Sequence, residues 1–335
     1  MLKTSIYKID ASSSLPKYRQ LINNLIKGID EGELLRGEKI PSLNQICNMN
    51  NMSRDTVMMA FNELKTRGVI YSRPGKGYFI QTTQVEVIKR IFVLFDELNS
   101  FKEDMYNSFL QHLDAKTDVD IYFHHFNSKV FADLIENAAG NYTSYVIMPA
   151  TFKNTAEIIG HLPPDKVYIL DRKKEDLANY PSIYQDFEND AYEALIKNHI
   201  YLKKYQNFIM IHPGGKEPDE RAIGFQRYAI QKEISYQIVQ QVDSNSVQRN
   251  TCYLVPSDRM LVELIKTAKQ KQYKLGSDIG IISFNDTVLK EVVADGISTI
   301  STDFFDMGKQ LAEMIQSKST DKIRNRWKFV RRNSI

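Results

Sequence analysis

Apolar residues first recur at helical spacing over residues 16–31, where Tyr18, Leu21, Ile22, Leu25, Ile26 and Ile29 share one face. Pro16 opens that helix at a position where its missing N–H is no loss. Gly32 and Gly37 bracket a turn, and Pro41-Ser42 opens a second, short helix with Ser42 as its N-cap. Asn48 to Met52 is polar and turn-like. Ser53 caps a third helix, Arg54 to Arg67, whose apolar face is Val57, Ala60, Phe61 and Leu64, and Gly68 stops it. Val69-Ile70-Tyr71 and Tyr78-Phe79-Ile80 are β-rich, with Arg73-Pro74-Gly75-Lys76-Gly77 turning between them. Three helices followed by a hairpin predict a winged helix-turn-helix.

From Arg90 the rhythm changes. Strand-like runs recur at 91–95, 119–123, 145–149, 166–170, 207–211, 252–256 and 280–284. Helical segments fall between most of them, among them Glu103–Leu113, Asp190–Tyr201, Glu220–Glu233 and Met260–Gln270. This alternation predicts right-handed βαβ units and doubly wound parallel sheets. The stretch is longer than one sheet's core comfortably serves, so two similar lobes are expected. The expected architecture is therefore an N-terminal winged helix-turn-helix over residues 1–81, a polar linker over 82–89, and a two-lobed α/β body over 90–335. No short-period repeat, low-complexity tract or coiled-coil heptad is visible.

Composition narrows the class. The 335 residues suit two or three domains, and 42% hydrophobic with 25% charged residues is ordinary for a soluble protein. Cys47 and Cys252 lie far apart, which fits a reduced compartment and gives no metal-ligand spacing. The first 20 residues hold no apolar signal core, and no apolar run reaches the roughly 18 residues that span a bilayer. A cytoplasmic protein without membrane contact is expected. Residues 1–80 carry 12 Lys/Arg and 7 Asp/Glu, and the rest carry 32 and 34, so a basic head precedes a near-neutral body. Such a head suits phosphates.

The third helix has the parts of a DNA reader. Ser53 and Thr56 place small hydroxyls at its N-terminus, where phosphates bind. The Arg54 fork matches guanine O6 and N7. Lys76, in a glycine-bracketed tip, reaches a phosphate or the minor groove. Residues 15–80 also resemble the gluconate-repressor (GntR) family from end to end. The matching elements are P-x-Y-x-Q from Pro16, G-E-x-x-x-G-E-x-x-P-S ending at Ser42, S-R-x-T-V from Ser53, L-x-x-x-G-x-I from Leu64, and the R-x-G-x-G wing from Arg73. The resemblance implies DNA contacts at Ser42, Ser53, Arg54, Thr56, Gly75 and Lys76. Asn44 and Met58 stand where the family often has arginine. Asn44 can still hydrogen-bond a base or phosphate. Met58 cannot form a bidentate contact, so the operator should differ at that base pair.

The body resembles the periplasmic-binding-protein-like sensors of the lactose/galactose-repressor (LacI/GalR) family. The matching stretches, in order, are KVYILDRK, SIYQDFENDAYEALIKNHI, DERAIGFQRYA, LVPSDRMLVELIKTAKQKQYKLGSDIGIISFNDT and ISTDFFDMGKQLAEMI. The resemblance places crossovers between lobes near 186 and 303. It implies a small polyol effector, with Arg172 and Arg221 on ring or hydroxyl oxygens and Asn285 bridging hydroxyls. Asn99 and Phe101 would contribute from the loop after the first strand, and Asp171 and Thr302 would complete the set. Asn285 replaces the family's Asp and removes a charged acceptor. A GntR-type head on a LacI-like body is similar to regulators of the arabinose-repressor type.

Other signals carry less. His124-His125 is read as adjacent strand residues on opposite faces, not a metal pair. Pro213-Gly214-Gly215-Lys216 is read as a strand-to-helix loop rimming the pocket, since the flanking glycine spacing of a phosphate loop is missing. The cysteines are read as small core residues, and Ser257 and His212 have no triad context. The sequence thus predicts a dimeric, sugar-responsive transcription regulator with no catalytic set, cofactor or metal. It would repress from a palindromic operator and be released by arabinose, another pentose, or a deoxyhexose such as fucose. The alternative is a sugar-binding protein or enzyme with a nonfunctional head.

Overall fold

The computed structural model describes residues 4–13, 15–82 and 89–335, with no side chain described for Thr4 or Thr66. The linker expected over 82–89 lies largely outside the described residues. The described chain divides into two compact units. One is the stretch up to Ile91 with Lys116–Val119 and Glu136–Thr143, and the other is the remainder from Phe92.

In the first unit, α1 (Lys17–Asp30), α2 (Leu43–Asn50) and α3 (Arg54–Thr66) precede the hairpin of β1 (Ile70–Arg73) and β2 (Gly77–Ile80). The apolar faces of α1 and α3 meet: Leu21, Leu25, Val57, Ala60, Phe61 and Leu64 are all fully buried. The Tyr78 ring meets Phe61 edge-on at 4.6 Å and fastens the wing to α3. Gly68 ends α3 in the left-handed region at φ +68°, which glycine enters without penalty. The polar run 48–52 departs from expectation. α2 continues through Asn50, and the turn is a single left-handed residue, Asn51 at φ +48°. Asn50 is held in the helix because its side chain donates to Tyr7 O at 2.7 Å.

The body holds two six-stranded sheets. Strands β3 (Lys89–Phe95), β4 (Thr117–Phe123), β5 (Ser144–Ile147), β6 (Val167–Arg172), β7 (Ser182–Gln185) and β13 (Lys322–Arg324) form the first, in the order β13-β7-β6-β5-β3-β4. The second is β8 (Asn207–Ile211), β9 (Ser235–Val239), β10 (Thr251–Val255), β11 (Ile279–Phe284), β12 (Ser298–Thr302) and β14 (Trp327–Val330), ordered β14-β12-β11-β10-β8-β9. Neighbours in the second sheet run parallel except β14, an antiparallel edge on β12. β10 is buried at every residue. Alternation sends Cys252 and Leu254 to one face and Tyr253 and Val255 to the other, into two separate cores. Helices therefore cover both faces, as a doubly wound sheet requires.

The chain passes between the lobes three times: after Gln185, after Thr302 and after Arg324. The crossing segments are bonded to one another. Asn325 N donates to Tyr184 O at 2.8 Å, Asp303 N to Arg326 O at 2.9 Å, and Asn325 Nδ2 to Asp303 O at 2.9 Å.

Two glycines let helices touch backbone to backbone. Gly308 on α12 (Phe304–Ser317) faces α4 (Ser100–Gln111), where an added Cβ would collide with Met105 O. Gly224 on α9 (Asp219–Gln231) faces Glu188 O of α7 (Phe187–Lys197) in the same way. Both obstacles are main chain, so a methyl group must spread the helices. Gly308→Ala is expected to destabilise the body by about 1–3 kcal/mol. Calorimetry should show a melting temperature several degrees lower; an unchanged transition would mean that α4 and α12 can part freely.

Candidate functional site

In the head, the DNA-contact residues expected from sequence fall into two groups. Ser42 and Gln45 form a reciprocal capping box at the start of α2, with Ser42 N donating to Gln45 Oε1 at 2.8 Å and Gln45 N to Ser42 Oγ at 3.3 Å. Ser53 Oγ accepts from Thr56 N at 3.2 Å and lies 2.7 Å from Thr56 Oγ1. These hydroxyls shape helix starts and leave α2 and α3 well formed at their N-termini. Asn44, Arg54 and Lys76 are exposed, and among the described residues their side chains have no hydrogen-bond or ion-pair partner. Gly75 turns the wing tip at φ +70° with open space around it. On α3, Met58 lies one helical turn from Arg54 and is half-buried, whereas Met59 is 54% exposed.

In the body, a narrow cavity of ≈10 Å³ lies against the ends of β7, β11 and β12 and the start of α7. Arg221, Asn285 and Thr302 line it, together with Gln185, Phe187, Asp190, Phe284 and Trp327. Arg221, only 7% exposed, lies between two rings, with its guanidinium 5.0 Å from Phe187 and 4.7 Å from Phe284. Among the described residues its one carboxylate contact is Glu217 Oε2 at 3.5 Å. Most of its five donors are therefore open to a guest. Burial pulls the guanidinium below its ordinary value, and Glu217 and Asp171 oppose that shift.

The other expected effector residues lie at differing removes. Asp171 joins the cavity through Gln185, whose Nε2 donates to Asp171 Oδ1 at 2.6 Å while its Oε1 accepts from Thr302 Oγ1 at 2.6 Å. Arg172 covers Phe187 at 5.2 Å, donates to Lys216 O at 3.4 Å and pairs with Glu220 at 3.8 Å. Asn99 and Phe101 are not among the lining residues. Asn99 N-caps α4, accepting from Lys102 N at 3.2 Å, and the Phe101 ring packs 4.7 Å from Phe304. The β3–α4 loop is shaped from beneath by a buried Lys102–Asp96 ion pair.

Sequence reasoning passed over Gln185, Phe187 and Asp190, although they flank a strand end that runs straight into a helix cap at Asp186. It placed Lys216 in a loop rimming the pocket but passed over its partner Glu97, whose two oxygens lie 2.7 and 3.0 Å from Lys216 Nζ, a contact that links a loop of each lobe. The reading of His124-His125 as strand residues is corrected. β4 ends at Phe123, His125 takes a left-handed φ of +47°, and His124 is fully buried with Nε2 3.1 Å from Met148 O. Burial pushes the His124 imidazole below its usual range. Its place is in an aromatic cluster with Phe126, Phe131 and Phe152.

Two stretches of the chain match known families. Residues 17–80 match the model of bacterial regulatory proteins, gntR family, and residues 198–328 match the periplasmic binding protein-like domain. The chain thus carries a gntR-type winged helix-turn-helix domain followed by a periplasmic-binding-protein-like domain, and the curated proteins it matches are transcription regulators. It is similar to the arabinose metabolism transcriptional repressor of Geobacillus stearothermophilus, 22% identical over 358 residues that span 92% of this chain and 94% of that one. Its head is similar to that of the probable fructoselysine utilization operon transcriptional repressor of Escherichia coli (strain K12). The identity there is 35% over 69 residues, covering 21% of this chain and 28% of that one. Among solved structures, a transcription regulator like protein from Staphylococcus haemolyticus superposes with a TM-score of 0.61 at 14% identity, over 73% of this chain and 98% of that one. The trehalose repressor from Escherichia coli gives 0.60 at 14% identity, over 72% and 99%. At such identities the structural likeness speaks for the fold alone. No helix among the described residues is long and apolar enough to cross a membrane.

The cavity wall contains a titrating group. Asp190 is 6% exposed and its carboxyl is pushed up to about 6 by burial, although Arg324 Nη2 lies 2.6 Å away and opposes the shift. The native carboxyl thus holds its proton to higher pH than an unfolded one, which releases it near pH ~4. Its contribution to stability is fully present below that pH and is lost as pH rises through about 6. Relative to wild type, Asp190→Asn should therefore gain stability steadily between about pH 4 and 7. Urea unfolding across that range would test this, and two parallel stability curves would refute it.

Proposed function

We propose that the protein represses transcription by binding a palindromic operator as a homodimer in the cytoplasm, and that a monosaccharide in the body's cavity releases it. The observation that carries this reading is the convergence of Arg221, Asn285 and Thr302 on one small cavity, in a chain whose head presents Arg54 and Lys76 without side-chain partners among the described residues. Guanidinium, amide and hydroxyl groups suit a guest that both donates and accepts hydrogen bonds. The rings of Phe187, Phe284 and Trp327 suit its C–H surfaces. At ≈10 Å³ the cavity is far smaller than the ~300–1,000 Å³ of typical small-molecule sites, so a sugar ring would enter only as the two lobes part around it.

L-Arabinose is the leading effector, supported by the relative that spans nearly the whole chain. Another pentose or a deoxyhexose such as fucose comes next. Two helix-turn-helix heads in a dimer would read half-sites about 34–36 Å apart. To turn a mostly bound regulator into a mostly free one, the sugar must favour one state by about 5 kcal/mol.

Two substitutions separate the two halves of this function. Arg54→Ala should abolish specific operator binding, since a bidentate base contact carries about 1–3 kcal/mol of discrimination, and leave the fold and sugar binding intact. Unchanged affinity in a gel shift with the native promoter would sink the assignment of Arg54. Arg221→Ala should keep operator binding but no longer respond to sugar. A variant still released by the inducer would show that the effector sits elsewhere.

A further inference from the structure

Lys290 is 2% exposed, on the short helix α11 (Val288–Val292). The other side of that helix bears Val288, Leu289 and Val292, which are 79%, 54% and 71% exposed. An ammonium is costly to bury, and an apolar side chain of the same length would pack without that cost. The ammonium is fully engaged instead. Nζ donates to Phe284 O at 2.8 Å and to Asn285 O at 2.6 Å, and Asp258 Oδ1 lies 3.1 Å away. Those three contacts use all three of its donors.

Both carbonyls belong to residues that line the cavity. Asn285 adopts φ +61°, a left-handed conformation that few residues other than glycine take. Its turn is gripped on two sides. β12 holds the amides, with Asn285 N donating to Ile300 O and Asp286 N to Ser301 Oγ, each at 2.9 Å. Lys290 holds the carbonyls. Asp258 stands at the start of α10 (Asp258–Gln270), behind the Ser257 N-cap, so one ammonium ties α10, α11 and the cavity wall together.

We propose that Lys290 is a positioning residue for effector recognition: by holding the Phe284 and Asn285 carbonyls it fixes the left-handed turn that sets the Asn285 amide and the Phe284 ring in the cavity wall. This rests on the reading of that cavity as the effector site. Lys290→Met keeps the length and removes the donors. Asp258→Asn, at a half-exposed position, loosens the ammonium without emptying the core.

Amide hydrogen exchange on the full-length protein tests the tie. In Lys290→Met the amides of Asn285 and Asp286 should exchange about 10-fold faster or more, while β10 keeps its protection. Asp258→Asn should show the same local change in smaller measure. Titration calorimetry with L-arabinose, D-xylose and L-fucose should show sugar affinity falling about 10-fold or more in Lys290→Met, with sugar-free operator affinity unchanged. Unaltered exchange at 285 and 286 in both variants would overturn the proposal, as would a uniform loss of protection across the lobe. Faster local exchange with unaltered sugar affinity would overturn it as well. A wild-type protein indifferent to all three sugars counts against the monosaccharide reading; the tie then stands or falls on exchange at 285 and 286.

Discussion

A guanidinium clamped between two aromatic rings is the interaction around which the body is arranged. Arg221 reaches its position because Gly224, one turn further along α9, lets that helix lie directly on the backbone of α7. Phe187, at the start of α7, supplies one ring, and Phe284, at the end of β11, supplies the other. The charge is buried, yet two aromatic rings lie within 5.0 Å of it, and among the described residues one carboxylate touches its edge. The remaining donors point along the guanidinium plane, the direction from which a polar guest can approach.

Around this centre the two lobes are joined by polar contacts more than by apolar ones. Gln185, on the first sheet, carries a hydrogen bond from Thr302 of the second sheet through to Asp171. Lys216 and Glu97 close the outer rim. Such contacts exchange readily with a bound polyol or with water, because each protein–protein hydrogen bond is worth only about 1 kcal/mol net. A greasy seam would hold the lobes together more firmly and respond less.

The parts of the chain whose period matches their burial were legible from sequence. α1 and α3 show one apolar stripe, and β8, β10 and β11 show unbroken apolar runs because both of their faces are covered. β12 was not legible as an apolar run. All five of its residues are buried, yet four are Ser or Thr, and the hydroxyls of Ser298, Ser301 and Thr302 are accommodated by Arg332 O, Thr302 O and Gln185. β9 is an edge strand with Ile238 40% exposed, so no apolar run marks it, and β13 and β14 are too short to show a period. Motifs pointed to Arg221, Asn285 and Thr302 in the cavity and to Arg172 beside it. They could not point to Gln185 or Asp190, whose roles come from Thr302 and Arg324, 117 and 134 residues away. Similarly, nothing local to α2 reveals that Asn50 is kept helical by Tyr7.

The three crossing segments near 185, 303 and 325 carry a mechanical consequence. Two independent strands would form a swivel, free to twist as well as fold. Three strands laced to one another by Asn325, Asp303 and Tyr184 act as the spine of a book. The covers can open or shut, but any wringing motion would have to pull the binding apart. The lacing therefore reduces the freedom of one lobe against the other to a single angle.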